Sequence, residues 1–186
     1  MLPPSLSASE HGAPAPVAEP DAVLLTRELT PRTTEVWNAM LGLDLQVADH
    51  AEPLASAGHR RWSGCIALSG DWRGAVTVSC IDPLARIVTG AMFGIEPEAA
   101  TESELQDAIG EMANILGGQT KQVLGDRCSL GLPVVIEGDN FEATVPHSHA
   151  VVKLHFLCEG HPIDVSVVGA NARVSARREG VRARDN

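Results

Sequence analysis

The sequence predicts an α+β domain with one antiparallel sheet of about six strands and long helices packed on one face. Three observations carry this expectation. Blocks with strand-like alternation and blocks with helical periodicity succeed one another between residues 30 and 170. Their order repeats: a helix, a strand and the hairpin GCIALSGDWRGAVTVS, then a helix, a strand and the hairpin VKLHFLCEGHPIDVSV. Finally, 44% of the residues are hydrophobic but only 3% aromatic, with no Tyr, so the core must rest on Val, Ile, Leu and Ala.

Taken in order, a first helix is expected to open after Thr30, with Pro31 in its first turn. It runs through Val36, Trp37, Met40 and Leu41 to a stop at Gly42. A strand follows at Leu43–Val47. Trp62–Ser69 and Gly74–Cys80 alternate as two strands around a Gly70-Asp71 turn. Asp82 or Pro83 opens a helix through Leu84, Ile87, Val88, Met92 and Phe93, which Gly94 and Pro97 end. A long helix starts near Thr101 or Ser103, where Glu102 and Glu104 complement its positive end, and stops at Gly125. Strands are expected at Leu130–Glu137, Phe141–Val145, Ala150–Cys158 and Ile163–Val168, the last two forming a hairpin around Gly160.

Residues 1–24 are rich in Pro, Ala, Ser and Glu and read as a disordered arm, because they cannot bury enough apolar surface to order themselves. Residues 172–186 carry Arg173, Arg177, Arg178, Arg182 and Arg184 and read as a basic flexible tail. The folded domain is then 25–171. The formal net charge of −10 repels phosphate backbones, and so few aromatics leave no stacking platform for nucleic acid. Cys65, Cys80, Cys128 and Cys158 form no C-x-x-C pair and read as small core residues. No window reaches the roughly 18 apolar residues of a membrane span, and no signal-peptide pattern opens the chain. With free thiols, this points to the cytoplasm. His147-x-His149, with His155 nearby, lacks a cysteine or carboxylate at zinc-like spacing, so no metal of its own is expected. Ser63-Gly64-Cys65 and Ser69-Gly70-Asp71 lack the strand-to-helix context of a nucleophile elbow, and no glycine-rich phosphate loop is present.

The informative segment is ESELQDAIGEMANILGGQTKQVL, residues 102–124. On a helical wheel, Leu105, Ala108, Ile109, Met112, Ala113, Ile115, Leu116 and Val123 form one apolar half. Glu104, Asp107, Glu111, Asn114, Gly118 and Lys121 form a polar stripe opposite, flanked by Gly110 and Gly117. The stripe is costly for helix stability. Each interior glycine costs about 1 kcal/mol relative to alanine, Asn is a mediocre mid-helix residue, and Asp107 and Glu111 repel four residues apart.

Asp107-x-x-x-Glu111-x-x-Asn114, followed by Gly117-Gly118, resembles the D/S-x-x-x-E-x-x-N signature of the CheC/CheX chemotaxis phosphatase family. The run DAIGEMANILGGQTK is similar to the CheX form of that helix. The upstream SGCIALSG-to-GAVTVSC hairpin and the downstream LGLPVVIEGD strand fit the same arrangement, over residues 30–170. The resemblance implies a cytoplasmic phosphatase acting on the phospho-aspartate of a CheY-like receiver domain in chemotaxis or two-component signalling. Asn114 would orient the attacking water and Glu111 would pair with the receiver's lysine. Asp107 would help docking or support the helix, and Gly110, Gly117 and Gly118 would support the docking face, with Gly110 and Gly117 admitting the receiver's backbone. The Mg²⁺ would belong to the receiver, and the chain would need no cofactor of its own. A homodimer through sheet edges is also implied, and a non-catalytic CheX-like receiver-binding or dimerisation module is the alternative reading. The first helix carries a weaker Glu35-x-x-Asn38, a possible second site. There Pro31 and Leu41 replace the motif's flanking residues, and Trp37 adds bulk near the expected contact surface.

Overall fold

The computed structural model describes residues 19–49, 60–125, 128–139 and 145–171. The chain forms helix α1 (Ala22–Leu41), strands β1 (Gln46–Val47), β2 (Arg60–Gly70) and β3 (Gly74–Ile81), and helix α2 (Asp82–Phe93). After a short 3-10 turn come helix α3 (Glu102–Leu124) and strands β4 (Cys128–Asp139), β5 (Ser148–Cys158) and β6 (His161–Ala170). The six strands make one antiparallel sheet in the order β1-β5-β6-β3-β2-β4. The α+β class, the six strands and the repeat of helix plus three strands all hold. The strand expected at Phe141–Val145 lies outside the described residues apart from Val145.

The repeat explains the strand order. Unit one is α1-β1-β2-β3 and unit two is α3-β4-β5-β6. Their last strands, β3 and β6, pair at the centre of the sheet. Each unit's first strand then crosses to the other unit's hairpin: β1 pairs β5 and β4 pairs β2. Helix α2 is the connection between units.

Side chains alternate across each strand, so each row of register partners lies on one face. One inner row is Trp62, Cys80, Ile163 and Phe156, and another is Ile66, Val76, Val167 and Val152. All are buried against the helices. The opposite face carries Ser63, Ser79, Asp164 and His155 in one row, with Ser63 bonded to Ser79 at 2.8 Å and His155 to Asp164 at 2.7 Å. Alternation of apolar and polar residues thus sets which face receives the helices. The two edges are β1 and β4, and β4 turns Leu132, Val134 and Ile136 outward, Leu132 being 87% exposed.

Helix α1 starts earlier than its sequence signals suggest. Its cap is Asp21, whose carboxylate accepts from the amides of Val23 (2.8 Å) and Leu24 (3.3 Å). Pro31 therefore lies inside the helix rather than in its first turn. An interior proline costs about 3 kcal/mol. Burial of Leu25 and Leu29 offsets it, at about 1.5–3 kcal/mol each. The helix ends as expected at Gly42, whose φ of 64° favours a residue without Cβ.

The middle inner row, Gly64, Val78, Val165 and Leu154, has a glycine where α3 crosses β2. A Cβ at Gly64 would lie 2.7 Å from the Ile109 backbone oxygen and 3.0 Å from the Ala113 Cβ. Backbone cannot yield cheaply at that distance. Gly64→Ala is expected to destabilise the domain by about 1–3 kcal/mol, the usual range for overpacking, read from chemical denaturation. An unchanged midpoint would contradict this account of the helix seat.

Candidate functional site

Helix α3 is held at its start by a capping box. The Thr101 hydroxyl accepts from the Glu104 amide (3.4 Å), and the Glu104 carboxylate accepts from the Thr101 amide (2.8 Å) and hydroxyl (2.7 Å). The hydrogen bond from the Thr101 backbone, with that from its hydroxyl, holds the Glu104 carboxyl below its ordinary pKa. Glu104 thus belongs to the polar stripe by position but is already engaged. Arg60 on β2 ties the same helix end to the sheet, bonding Glu102 at 2.8 Å and also Glu137 on β4, with its guanidinium 5.2 Å over the Trp62 ring.

Along α3, Leu105, Ala108, Ile109, Met112, Ala113 and Leu116 are buried, as the wheel requires. Asp107, Glu111 and Asn114 are exposed on the far side. Their side chains make no hydrogen bond or ion pair among the described residues. Positions three and four apart on a helix lie about 5–6 Å apart at Cβ, so the three groups form one short polar array. The array combines carboxylates with a carboxamide that both donates and accepts. It can hold a water or a cationic side chain.

The glycines separate by role. Gly117 faces the sheet, where an added Cβ would lie 2.6 Å from Ile66 Cγ2 and 3.1 Å from Leu130 Cδ2. It admits Ile66 of its own chain, so the expectation that it admits a partner's backbone is corrected. Gly110 is also turned inward, but an added Cβ would only touch Val135 (3.5 Å) and Pro133 (3.9 Å) in ordinary contact. Gly118 has open space around it and stands one turn beyond Asn114.

On α1, Glu35 and Asn38 are both exposed. Trp37 is not near their surface. It is 1% exposed and donates its indole N–H to Cys158 Sγ at 3.3 Å. The bulk expected beside a second site is thus in the core, because the burial stripe of α1 is Leu25, Leu29, Thr33, Trp37 and Leu41. Pro31 and Leu41 remain departures from the motif.

The histidines are dispersed. His149 bonds Asn171 at 3.0 Å and also Glu19, while His147 occupies a turn at φ 57°. All four cysteines are free thiols, and burial pushes the Cys80 thiol up to about 12. No helix among the described residues is long and apolar enough to cross a membrane.

Sequence reasoning missed one feature. An open groove of about 610 Å³ runs beside the array, and its lining combines Met92, Phe93, Pro133 and Val135 with Asp107 and Glu111. By its residue type Phe93 belongs with the apolar positions of α2. Nine residues after Leu84, however, it falls about 180° around the helix from it. That offset was the available signal, and Phe93 is 44% exposed.

Fold and site together define a class: two helix-plus-three-strand units in one sheet, with a Glu-x-x-Asn pair turned outward on the second unit's helix. The family model for "Chemotaxis phosphatase CheX" matches residues 62–157, more than half of the chain. The chain belongs to the CheX family. The match includes α3 and its array but leaves out α1. Among solved structures, the chemotaxis protein CheX from Vibrio vulnificus is similar, with a TM-score of 0.65 and 19% identity, covering 80% of this chain and 98% of that one. The CheX of a CheX-CheY-BeF3-Mg²⁺ complex from Borrelia burgdorferi is similar at a TM-score of 0.59 and 19% identity, over 79% and 98% of the two chains. Thermotoga maritima FliY is similar at 0.56 and 14% identity, over 91% and 100%. At these identities the likeness shows the fold. No match is found among curated protein sequences.

The two neighbouring glycines of α3 should respond oppositely to alanine. Gly118→Ala gains helix propensity, up to about 1 kcal/mol. Gly117→Ala gains the same but clashes with the stiff, β-branched Ile66, and overpacking of about 1–3 kcal/mol dominates. Thermal melts should show Gly117→Ala below and Gly118→Ala at or above the parent. Equal shifts in one direction would contradict the assignment.

Proposed function

We propose that the chain docks through the exposed stripe of α3 on a phosphorylated response-regulator receiver and hydrolyses its aspartyl phosphate. The observation that carries this reading is the placement of Glu111 and Asn114, both in solvent, one turn apart, without partners among the described residues. Neither must break a bond to another described residue to engage a partner, which lowers the cost of docking.

The division of labour follows from the groups. Asn114 is neutral and offers both a donor and an acceptor. It orients a water in line with the phosphorus without adding negative charge to a site already rich in phosphoryl oxygens. Glu111 is an acceptor and pairs with the receiver's lysine, fixing the register in which Asn114 enters. Positioning is the main contribution, so the stiffness of α3 matters as much as the identity of its side chains. The Mg²⁺ comes with the receiver, and the chain's own residues hold the water and the lysine. Support comes from family membership and from the Borrelia burgdorferi CheX solved with CheY, BeF3 and Mg²⁺.

Asn114→Ala is expected to slow release of phosphate from a phosphorylated receiver about 10²–10³-fold, the range for loss of one positioned polar group at a reacting centre. Thermal stability should be unchanged. Glu111→Ala should raise KM about tenfold or more and also lower turnover. An Asn114→Ala variant as fast as its parent would end the reading. A parent that binds the phosphorylated receiver without accelerating hydrolysis would leave a binding module instead.

A further inference from the structure

We infer that the groove beside the array is a specificity pocket for the same receiver, taking an apolar side chain that has a basic neighbour. The inference rests on the receiver-docking reading, because Asp107 and Glu111 line both the groove and the array.

Three features point to this occupant. Phe93 ends α2 at 44% exposure and lines the groove beside Met92, which is partly packed against the core, so the apolar wall is left open at Phe93 among the described residues. Pro133 and Val135, on the inner face of β4, continue the apolar lining beneath Gly110. A Cβ at Gly110 would meet those two side chains at 3.5–4.0 Å, in ordinary contact, so the helix's own packing does not demand a glycine at this point of the groove lining. The charged groups of the lining are Asp107 and Glu111, both acidic. An acidic rim over an apolar wall disfavours an acidic or fully polar visitor and suits an apolar side chain flanked by Lys or Arg. With Glu111 engaged by the receiver's lysine, Asp107 remains to face this second basic group. The groove and the array then read two features of one surface, and the groove selects among receivers that share the same phosphorylated centre.

The test uses the full chain and the phosphorylated receiver from the same cell that it turns over fastest. Phe93→Gln should raise KM about tenfold with kcat unchanged, while Phe93→Leu stays within about threefold of the parent. Gly110→Ala should raise KM although its melting temperature is equal to or above the parent's. Asp107→Asn should weaken the dependence of KM on salt. Binding of the same receiver loaded with Mg²⁺ and BeF3⁻, which stands in for the phosphoryl group, supplies Kd for the same variants. Unchanged KM and Kd in Phe93→Gln and Gly110→Ala, with turnover intact in the parent, would overturn the pocket and spare the phosphatase reading. A parent that neither binds nor hydrolyses any phosphorylated receiver would overturn both.

Discussion

The rest of the structure depends on how closely α3 lies on β2. Two glycines set that distance, one from each element. At Gly64 the backbone of α3 passes where a side chain would otherwise stand, and at Gly117 Ile66 fills the corresponding gap in the helix. Each contact gives up something locally, since glycine weakens both strands and helix interiors. What is gained is a long helix gripped along its inner face, with a capping box and the Arg60 ion pairs at its start. A helix so held offers side chains whose positions are fixed by the sheet rather than by their own contacts.

That seating gives the exposed groups their chemical meaning. Glu111 and Asn114 have no supporting hydrogen bonds among the described residues, an arrangement that would be imprecise on a loop. On a seated helix it leaves the polar groups unoccupied and aimed. The groove between α2, α3 and β4 follows from the same geometry, because the helix passes over Pro133 and Val135 with only a glycine between. Structural support and recognition are therefore separated by helix face: Gly64, Gly117 and Ile66 inward, the polar array outward.

Much of this was legible in the sequence. The polar stripe of α3 was readable because an apolar half-wheel fixes its opposite, and the repeat was readable because both units follow the same element order. The start of α1 was not, since Pro31 is a strong local signal and the burial of Leu25 and Leu29 that overrides it is tertiary. Trp37 was misplaced because its neighbours Glu35 and Asn38 suggested a surface, whereas its own spacing from Leu29, Thr33 and Leu41 placed it in the core. The role of Gly117 was hidden because a helix wheel locates a glycine without saying what presses on it; Ile66 is 51 residues away in sequence. The groove joins α2 to β4 and needed the strand order as well.

The most direct measurement is a backbone amide titration by NMR of the ¹⁵N-labelled chain with a receiver loaded with Mg²⁺ and BeF3⁻. Placing the interface on the outward face of α3 requires the largest changes between residues 107 and 118, with the end of α2 following. Perturbation confined to the outer sheet face around Ser79 and Asp164, or to Glu35 and Asn38 on α1, with α3 silent, would contradict it.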